Sequence, residues 1–198
     1  MRQLTAIGPG HSTRPAPRTR SPRVHELIAA AHHLLETEGY ESLTMRRLAE
    51  TVGIRAPSIY KHLDGKAAVA LGLVEDGLFE TGDALHRAVE DPGPDGPIPS
   101  LLAGYRSAAV GHPNLYRLTT SSEFPRDSLL AGLEDWAGEP FYLATGEPYL
   151  AQALWAFAHG TTILELDGRF AIGSDLDLTW QAGARAFTAL RSAPGAAG

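Results

Sequence analysis

The chain has 198 residues, an apolar fraction of 43% and a formal net charge of −6, which is the composition of a globular protein and not of a disordered or fibrous one. It contains no cysteine, which excludes disulfides and thiolate metal sites. No apolar run is long enough to span a membrane, and the N-terminal segment lacks the apolar core of a signal peptide. A cytoplasmic location is therefore expected.

The charge is unevenly distributed along the chain. Residues 1–66 carry 10 basic and 6 acidic residues, whereas residues 67–198 carry 7 basic and 17 acidic ones. An acidic body joined to a basic end tends to orient that end toward a polyanion. Within the basic part, residues 1–20 are rich in Pro, Arg, Gly, Ser and Thr without hydrophobic periodicity, so a disordered basic arm is predicted there. The arginines of this arm could contact a polyanion such as a nucleic-acid backbone, or they could remain solvated. The sequence leaves both possibilities open.

The first predicted helix begins with Ser21 as N-cap and Pro22 in the first helical position, and Gly39 ends it. A second helix is predicted after Thr44, whose hydroxyl can cap it. Gly53 provides a sharp turn into a third helix. The apolar positions of these last two helices repeat with helical spacing and form one packed face: Met45, Leu48, Ala49, Val52, Ile54, Ile59 and Leu63. Two short helices that meet at a glycine predict a helix-turn-helix.

In a helix-turn-helix the second helix enters the DNA major groove, with its N-terminal residues at base edges and its flanks on the backbone. Arg55, Ser58 and His62 are the predicted base-reading residues. A second group is predicted to contact phosphates, and it consists of Thr44, Arg46, Tyr60, Lys61 and Lys66. The only two lysines of the chain belong to this group, as expected for a surface that attracts phosphates. The alternative interpretation is a helical hairpin with a solvated basic face.

The segment from residue 22 to residue 75 resembles the DNA-binding domain of the TetR family of bacterial repressors. The residues that carry the resemblance hold one register: Gly39, Tyr40, Thr44, Arg46, Leu48, Ala49, Gly53, Ile59, Tyr60, His62 and Lys66. Two positions depart from the family pattern, because Leu63 stands where an aromatic residue is usual and Arg55 where a capping Ser or Thr is common. The resemblance implies a ligand-responsive regulator that is a homodimer and binds double-stranded operator DNA.

The remainder of the chain is predicted to be a helical bundle, so the fold class is all-α. One long helix should run from Gly65 to about Asp91, about 40 Å in length, and link the DNA-binding end to the body. A loop follows over residues 91–99. Shorter helices are predicted at residues 100–111, 113–121 and 127–136. Proline-rich stretches around Pro125, Pro140 and Pro148 should separate the later helices.

The last two predicted helices span residues 148–167 and 174–191. The first is apolar nearly all round, which requires cover on more than one side, and the second begins near a capping box made by Ser174 and Asp177. In TetR-like proteins the corresponding pair forms the dimer, so a homodimer interface is predicted here. The segment that starts with Trp155, His159 and Gly160 also resembles a Trp-x-x-x-His-Gly element of one C-terminal subgroup of the family.

A small-molecule effector site is predicted in the body, where aromatic residues concentrate together with polar contacts: Tyr105, His112, Tyr116, Trp136, Trp155 and His159. These aromatic residues could instead simply fill a core. No catalytic motif is present, so neither an enzyme nor a cofactor is predicted. His25 and His32 are seven residues apart, but no metal site is predicted because no acidic or cysteine partner was identified at ligand spacing. The alternative function is a helical protein-interaction module that does not bind DNA.

Overall fold

The computed structural model describes residues 12–121 and 124–192, and within these ranges the regular secondary structure is helical, without strands. The predicted all-α fold is confirmed. The helices are α1 (Pro22–Glu38), α2 (Met45–Thr51), α3 (Ala56–Ile59), α4 (Gly65–Glu90), α5 (Pro97–Gly111), α6 (Pro113–Thr120), α7 (Leu133–Thr145), α8 (Pro148–Leu166) and α9 (Leu176–Ser192), with a 3-10 turn at Arg126–Ser128. None of the helices in these ranges is both long and apolar enough to cross a membrane.

The described chain packs as two compact units. The first unit comprises residues 14–80 and 111–133, and the second comprises residues 12–13, 81–110 and 134–192. The predicted helix-turn-helix segment, residues 21–66, lies wholly in the first unit. Packing also assigns to that unit the first part of α4 and all of α6, which no local sequence signal indicates. The boundary at residue 66 is a functional division, and it stays a prediction.

The first unit has a core formed by α1, α2, α3, α4 and α6. Its fully buried side chains include Leu27, Leu35, Leu48, Ile59 and Val74, which lie at the apolar positions that helical periodicity selects. The start of α1 follows the predicted capping, because Ser21 Oγ accepts a hydrogen bond from Val24 N at 3.3 Å. At its end, Gly39 has φ of +81°, a conformation that a glycine adopts without strain.

Residues 12–20 differ from the predicted disordered arm. The Glu75 side chain, only 1% exposed, accepts hydrogen bonds from Arg18 Nε at 2.8 Å and Arg20 Nη2 at 3.3 Å. Arg20 also forms two bonds of 2.7 and 2.8 Å to Asp76. Because these arginines neutralise carboxylates of α4, the arm prediction is wrong for the segment that carries them. Residues 1–11 of the predicted arm lie outside the described residues.

The predicted helix at residues 127–136 is wrong, and so is the prediction that Pro140 separates helices. Residues 126–128 form only a 3-10 turn, and α7 continues through Pro140. Proline has no N–H, so it leaves the carbonyl one turn earlier without its helical partner. That carbonyl belongs to Trp136, and its oxygen lies 3.0 Å from His86 Nε2 of α4. The side chain from another helix thus replaces the missing backbone donor.

The second unit contains the end of α4 together with α5, α7, α8 and α9. Helix α8 buries Ala151, Leu154 and Ala158, and α9 packs against it with Gly183. A Cβ atom at Gly183 would lie 2.1 Å from Phe157 Cζ, so this glycine allows the two helices of one chain to approach closely. Helix α9 is capped by Asp175, whose Oδ1 accepts a bond from Leu178 N at 3.1 Å, and not by the predicted capping box.

Candidate nucleic-acid interface

The predicted helix-turn-helix is formed by α2, the turn at Gly53 and α3. Thr44 caps α2, because its Oγ1 accepts a hydrogen bond from Arg47 N at 3.1 Å. Gly53 has φ of +67°, and the turn is closed by a bond of 3.0 Å from Ile54 N to Ala49 O. Leu48 and Ile59 are fully buried, so the two helices share one apolar contact and present their polar faces outward.

Helix α3 is shorter than the sequence analysis predicted, since regular helix ends at Ile59. The chain continues in turns, with a bond of 2.8 Å from His62 N to Ile59 O. Arg55 occupies the N-cap position of α3 and makes no side-chain capping bond. Its guanidinium has only donors and cannot accept a bond from the helix N-terminus. The side chain is therefore available for a partner outside the helix.

The predicted base-reading and phosphate-contacting residues of this segment lie mostly at the surface. Arg55, Tyr60, Lys61 and His62 are exposed, and Ser58 is half-buried. Tyr60 is 57% exposed, although an aromatic ring is usually covered unless it serves an interface. The cluster offers a guanidinium, an ammonium, an imidazole and a phenol within eight residues. These are the donor types that contact DNA bases and phosphates.

The two arginines of α2 are paired with carboxylates. Arg46 is 87% exposed, and its Nε lies 3.1 Å from Glu50 Oε1. Arg47 donates to both carboxylate oxygens of Glu38. The hydrogen bonds from this guanidinium hold the pKa of the Glu38 carboxyl below its ordinary value. Most of the Arg46 side chain remains exposed, whereas the Arg47 side chain joins α1 and α2.

The Lys66 ammonium contacts Tyr40 within the chain. Its Nζ donates to Tyr40 O at 2.7 Å and lies 3.9 Å from the centroid of the Tyr40 ring. Burial raises the pKa of the Tyr40 phenol, and the charge of Glu41 adds to the effect. Lys66 therefore anchors the first turn of α4 to the turn that follows α1. Tyr40 was identified only as part of the family pattern, and its role in positioning Lys66 was missed.

The six predicted effector-contacting residues are not brought together within either unit. His112 and Tyr116 belong to the first unit, while the other four belong to the second. Tyr105 and Trp136 are core residues, because Tyr105 packs edge-on against Phe141 and Trp136 stacks on His86. Trp155 is 39% exposed and stacks on His159 at the surface of α8.

A cleft of about 360 Å³ is present elsewhere in the second unit. It lies between the loop that follows α4, helix α5 and helix α9, and its lining includes Leu102, Arg106, Asp177 and Trp180. The Arg106 guanidinium donates hydrogen bonds to Glu165 and Asp177, and the bonds to Glu165 in particular raise the pKa of Arg106. The volume is at the lower end of the range for small-molecule sites.

Comparison with known proteins connects this geometry with a family. Residues 27–73 match the family model described as "Bacterial regulatory proteins, tetR family". The uncharacterized HTH-type transcriptional regulator Rv0681 of Mycobacterium tuberculosis is 28% identical over 155 residues, which cover 72% of this chain and 69% of that protein.

Two solved structures share the fold. The SCO4313 protein superposes with a TM-score of 0.72 and 21% identity, and the superposition covers 88% of this chain and all of that one. A TetR/AcrR-family transcriptional regulator from Thermobifida fusca superposes with a TM-score of 0.63 and 18% identity. The superposition covers 84% of this chain and 97% of that one. The likeness to the Trp-x-x-x-His-Gly subgroup is not tested by these comparisons and stays a prediction. Residues 27–73 thus form a helix-turn-helix that matches the tetR family, and the chain shares its overall fold with these two solved structures.

Proposed function

We propose that the protein is a homodimeric repressor that binds a near-palindromic operator and is released from it by a small-molecule effector. The observation that carries the DNA-binding part is the exposed cluster of Arg55, Tyr60, Lys61 and His62 around the short α3, on a well-packed helix-turn-helix. In this docking Arg55, Ser58 and His62 face bases, while Thr44, Arg46, Tyr60, Lys61 and Lys66 face the phosphate backbone.

The homodimer is supported by apolar surface on α8 and α9. Five of the nine exposed large hydrophobic residues in the described part of the chain lie on these two helices: Tyr149, Trp155, Leu164, Leu178 and Leu190. On α8, Tyr149, Ala153, Ala156, Gly160 and Leu164 follow one another at helical spacing and form a continuous stripe. We call these five residues the α8 stripe. A contiguous apolar stripe of this kind is typical of a protein–protein interface.

A dimer explains how two recognition helices read one site. In helix-turn-helix dimers the half-sites are about 34–36 Å apart, or a multiple of that distance, and the operator repeats the two-fold symmetry of the protein. The effector is proposed to occupy the cleft that contains Arg106 and Trp180. Its apolar wall and its few polar groups suit a small molecule with one polar end. Helix α4 contributes residues to both units, and we propose that a change in its tilt transmits release. Coupling of about 1–3 kcal/mol suffices for a 5- to 150-fold change in operator affinity.

The DNA part is tested by measuring affinity for a selected operator at several salt concentrations. Lys61→Ala should weaken binding to all sequences and reduce the slope of log affinity against log salt by about one unit, because one phosphate contact is lost. Arg55→Ala should cost about 1–3 kcal/mol and relax the preference at one base pair. Ser107→Ala, at an exposed position of α5, is the control. Unchanged affinity, slope and preference in both variants would contradict this docking.

The dimer is tested by placing a charge in the α8 stripe. Ala156 is exposed in the isolated chain, so Ala156→Arg should fold normally but give monomers in sedimentation, because an unpaired charge in a helix contact costs several kcal/mol. Ser107→Arg, on the exposed face of α5, is the matched control and should remain dimeric. A dimeric Ala156→Arg protein would exclude this stripe. Gly183 is unsuitable for the test, since it packs against Phe157 of its own chain.

A further inference from the structure

Three metal-ligating side chains lie together in the first unit, on helices other than α3. His32 and Glu36 are four residues apart on α1 and therefore share one face of that helix. His112 is the N-cap residue of α6, and α6 packs against α1. One ligand atom from each of the three residues lies within 4.8 Å of the other two. The structure thus joins positions that are 76 residues apart in sequence.

The His32 imidazole has an unsatisfied polar atom. Its Nε2 is buried and makes no hydrogen bond, and it lies 3.9 Å from Glu36 Oε1. The rings of His32 and His112 have centroids 4.8 Å apart and are tilted by 57°. A buried nitrogen that lacks a partner requires an explanation. A bound cation would explain this nitrogen, because a neutral imidazole nitrogen is a common metal ligand.

The carboxylate of Glu36 is held in place by the start of α6. Its Oε1 accepts a hydrogen bond from Leu115 N at 2.7 Å, and its Oε2 accepts one from Asn114 N at 3.2 Å. Each carboxylate oxygen has two lone-pair positions, so these bonds leave coordination capacity on both oxygens. Backbone donors that orient a ligating carboxylate are typical of the outer shell of metal sites.

We propose that His32, Glu36 and His112 bind a divalent transition metal of the Zn²⁺ class. Two imidazoles and one carboxylate form a donor set that zinc sites use, with the fourth position open to water or another ligand. Mg²⁺ and Ca²⁺ are disfavoured, because they prefer oxygen ligands only. Ligand atoms around a tetrahedral zinc ion lie about 3.3 Å apart. His32 and Glu36 retain 31% and 18% side-chain exposure, so small rotations can close the remaining distance.

The consequence concerns the stability of the first unit. The metal ties α1, which packs on α2 of the helix-turn-helix, to the start of α6. An ion that binds the folded chain and not the unfolded one raises the melting temperature with its concentration. This site does not depend on the proposed operator or effector. The site has no compact sequence signature, because His32 and Glu36 supply only two ligands one helical turn apart and His112 is remote in sequence.

The test uses the untagged full-length protein after removal of metal by a chelator. Titration calorimetry with ZnCl₂ should give one ion per chain, and CoCl₂ should produce the visible absorption of a four- or five-coordinate Co²⁺ ion. His32→Ala, Glu36→Gln and His112→Ala should each weaken Zn²⁺ binding by more than about tenfold, while the metal-free proteins stay folded. His112 makes no side-chain capping bond, and Gln keeps one acceptor oxygen for one of the two α6 amides that Glu36 binds.

The matched control is His33→Ala, at the exposed neighbouring position on α1. It should bind Zn²⁺ like the wild type and show the same rise in melting temperature. The proposal is overturned if the wild type does not bind Zn²⁺, or if His32→Ala and His112→Ala bind it as tightly as His33→Ala. It is also overturned if saturating Zn²⁺ leaves the wild-type melting temperature unchanged.

Discussion

Replacing Glu75 by alanine should destabilise the protein strongly, because this carboxylate is only 1% exposed and serves three donors. Its Oε1 accepts from Arg18 Nε and from Leu130 N at 3.0 Å, and its Oε2 accepts from Arg20. The partly buried Leu130 amide would lose its acceptor, at a cost of about 1–3 kcal/mol. Arg18 is 46% exposed and can return to water.

Arg20 is only 11% exposed but retains Asp76 at 2.7 Å. The cost of Glu75→Ala should therefore be about 2–4 kcal/mol, at or below the roughly 3–5 kcal/mol for breaking a fully buried ion pair. Asp76→Asn is the matched control, since it disturbs the same arginine from a position that is 51% exposed. Exposed pairs contribute at most about 1 kcal/mol, so this variant should remain close to wild type.

The assay is equilibrium unfolding in urea, followed by circular dichroism. All three tryptophans, at positions 136, 155 and 180, lie in the second unit, so their fluorescence would not report the first unit directly. Trypsin should also cleave the chain after Arg18 faster in Glu75→Ala than in wild type, because the segment loses its buried carboxylate partner while the bonds of Arg20 to Asp76 and of Arg18 to Ser128 O remain. Equal losses for Glu75→Ala and Asp76→Asn, or a loss below about 1 kcal/mol for Glu75→Ala, would refute the reasoning.

Two further outcomes are expected in the second unit. Gly183→Ala places a Cβ 2.1 Å from Phe157. The overpacking cost of about 1–3 kcal/mol should outweigh the gain in helix propensity of about 1 kcal/mol, so the melting temperature should fall. Gly138→Ala on α7 is the control, because its Cβ would have no atom within 4 Å, and it should raise the melting temperature. Burial lowers the pKa of His159 below its ordinary value of 6.5. The unfolded chain then binds a proton first as the pH falls, so stability should fall from about pH 6.5 down through the folded pKa, and His159→Gln should remove that component.

The sequence predicted the features that depend on neighbouring residues. Ser21 and Thr44 cap their helices as predicted, because an N-cap needs only a hydroxyl three residues before the amide it accepts. Gly39 and Gly53 end helices with positive φ for the same local reason. Whether Pro140 ends the helix cannot be read from its neighbours in sequence. The carbonyl that it leaves free, Trp136 O, is contacted by His86, which lies 50 residues earlier in the chain.

Composition was a poor guide to which aromatic residues line a site. Trp136 and Trp155 are equivalent in a residue count, yet the first is 4% exposed in the core and the second is 39% exposed on α8. Only the helix faces distinguish them, and α8 is apolar on so much of its circumference that periodicity does not select one face. The sequence therefore identified the elements of the body but not its cleft, which combines a loop with parts of α5 and α9.

Lys66 shows the same limit within the helix-turn-helix segment, whose turn and first cap follow the prediction. Its position and charge indicate a phosphate contact, but its ammonium donates one bond to Tyr40 O and lies over the Tyr40 ring. An ammonium has three N–H donors, so at most two of them remain for DNA. The first turn of α4 fixes the position of these donors. Lys61 is exposed on the turn after α3 and is not restrained in this way. Lys61 should therefore dominate the salt dependence, whereas replacing Lys66 should alter DNA affinity mainly by displacing the start of α4.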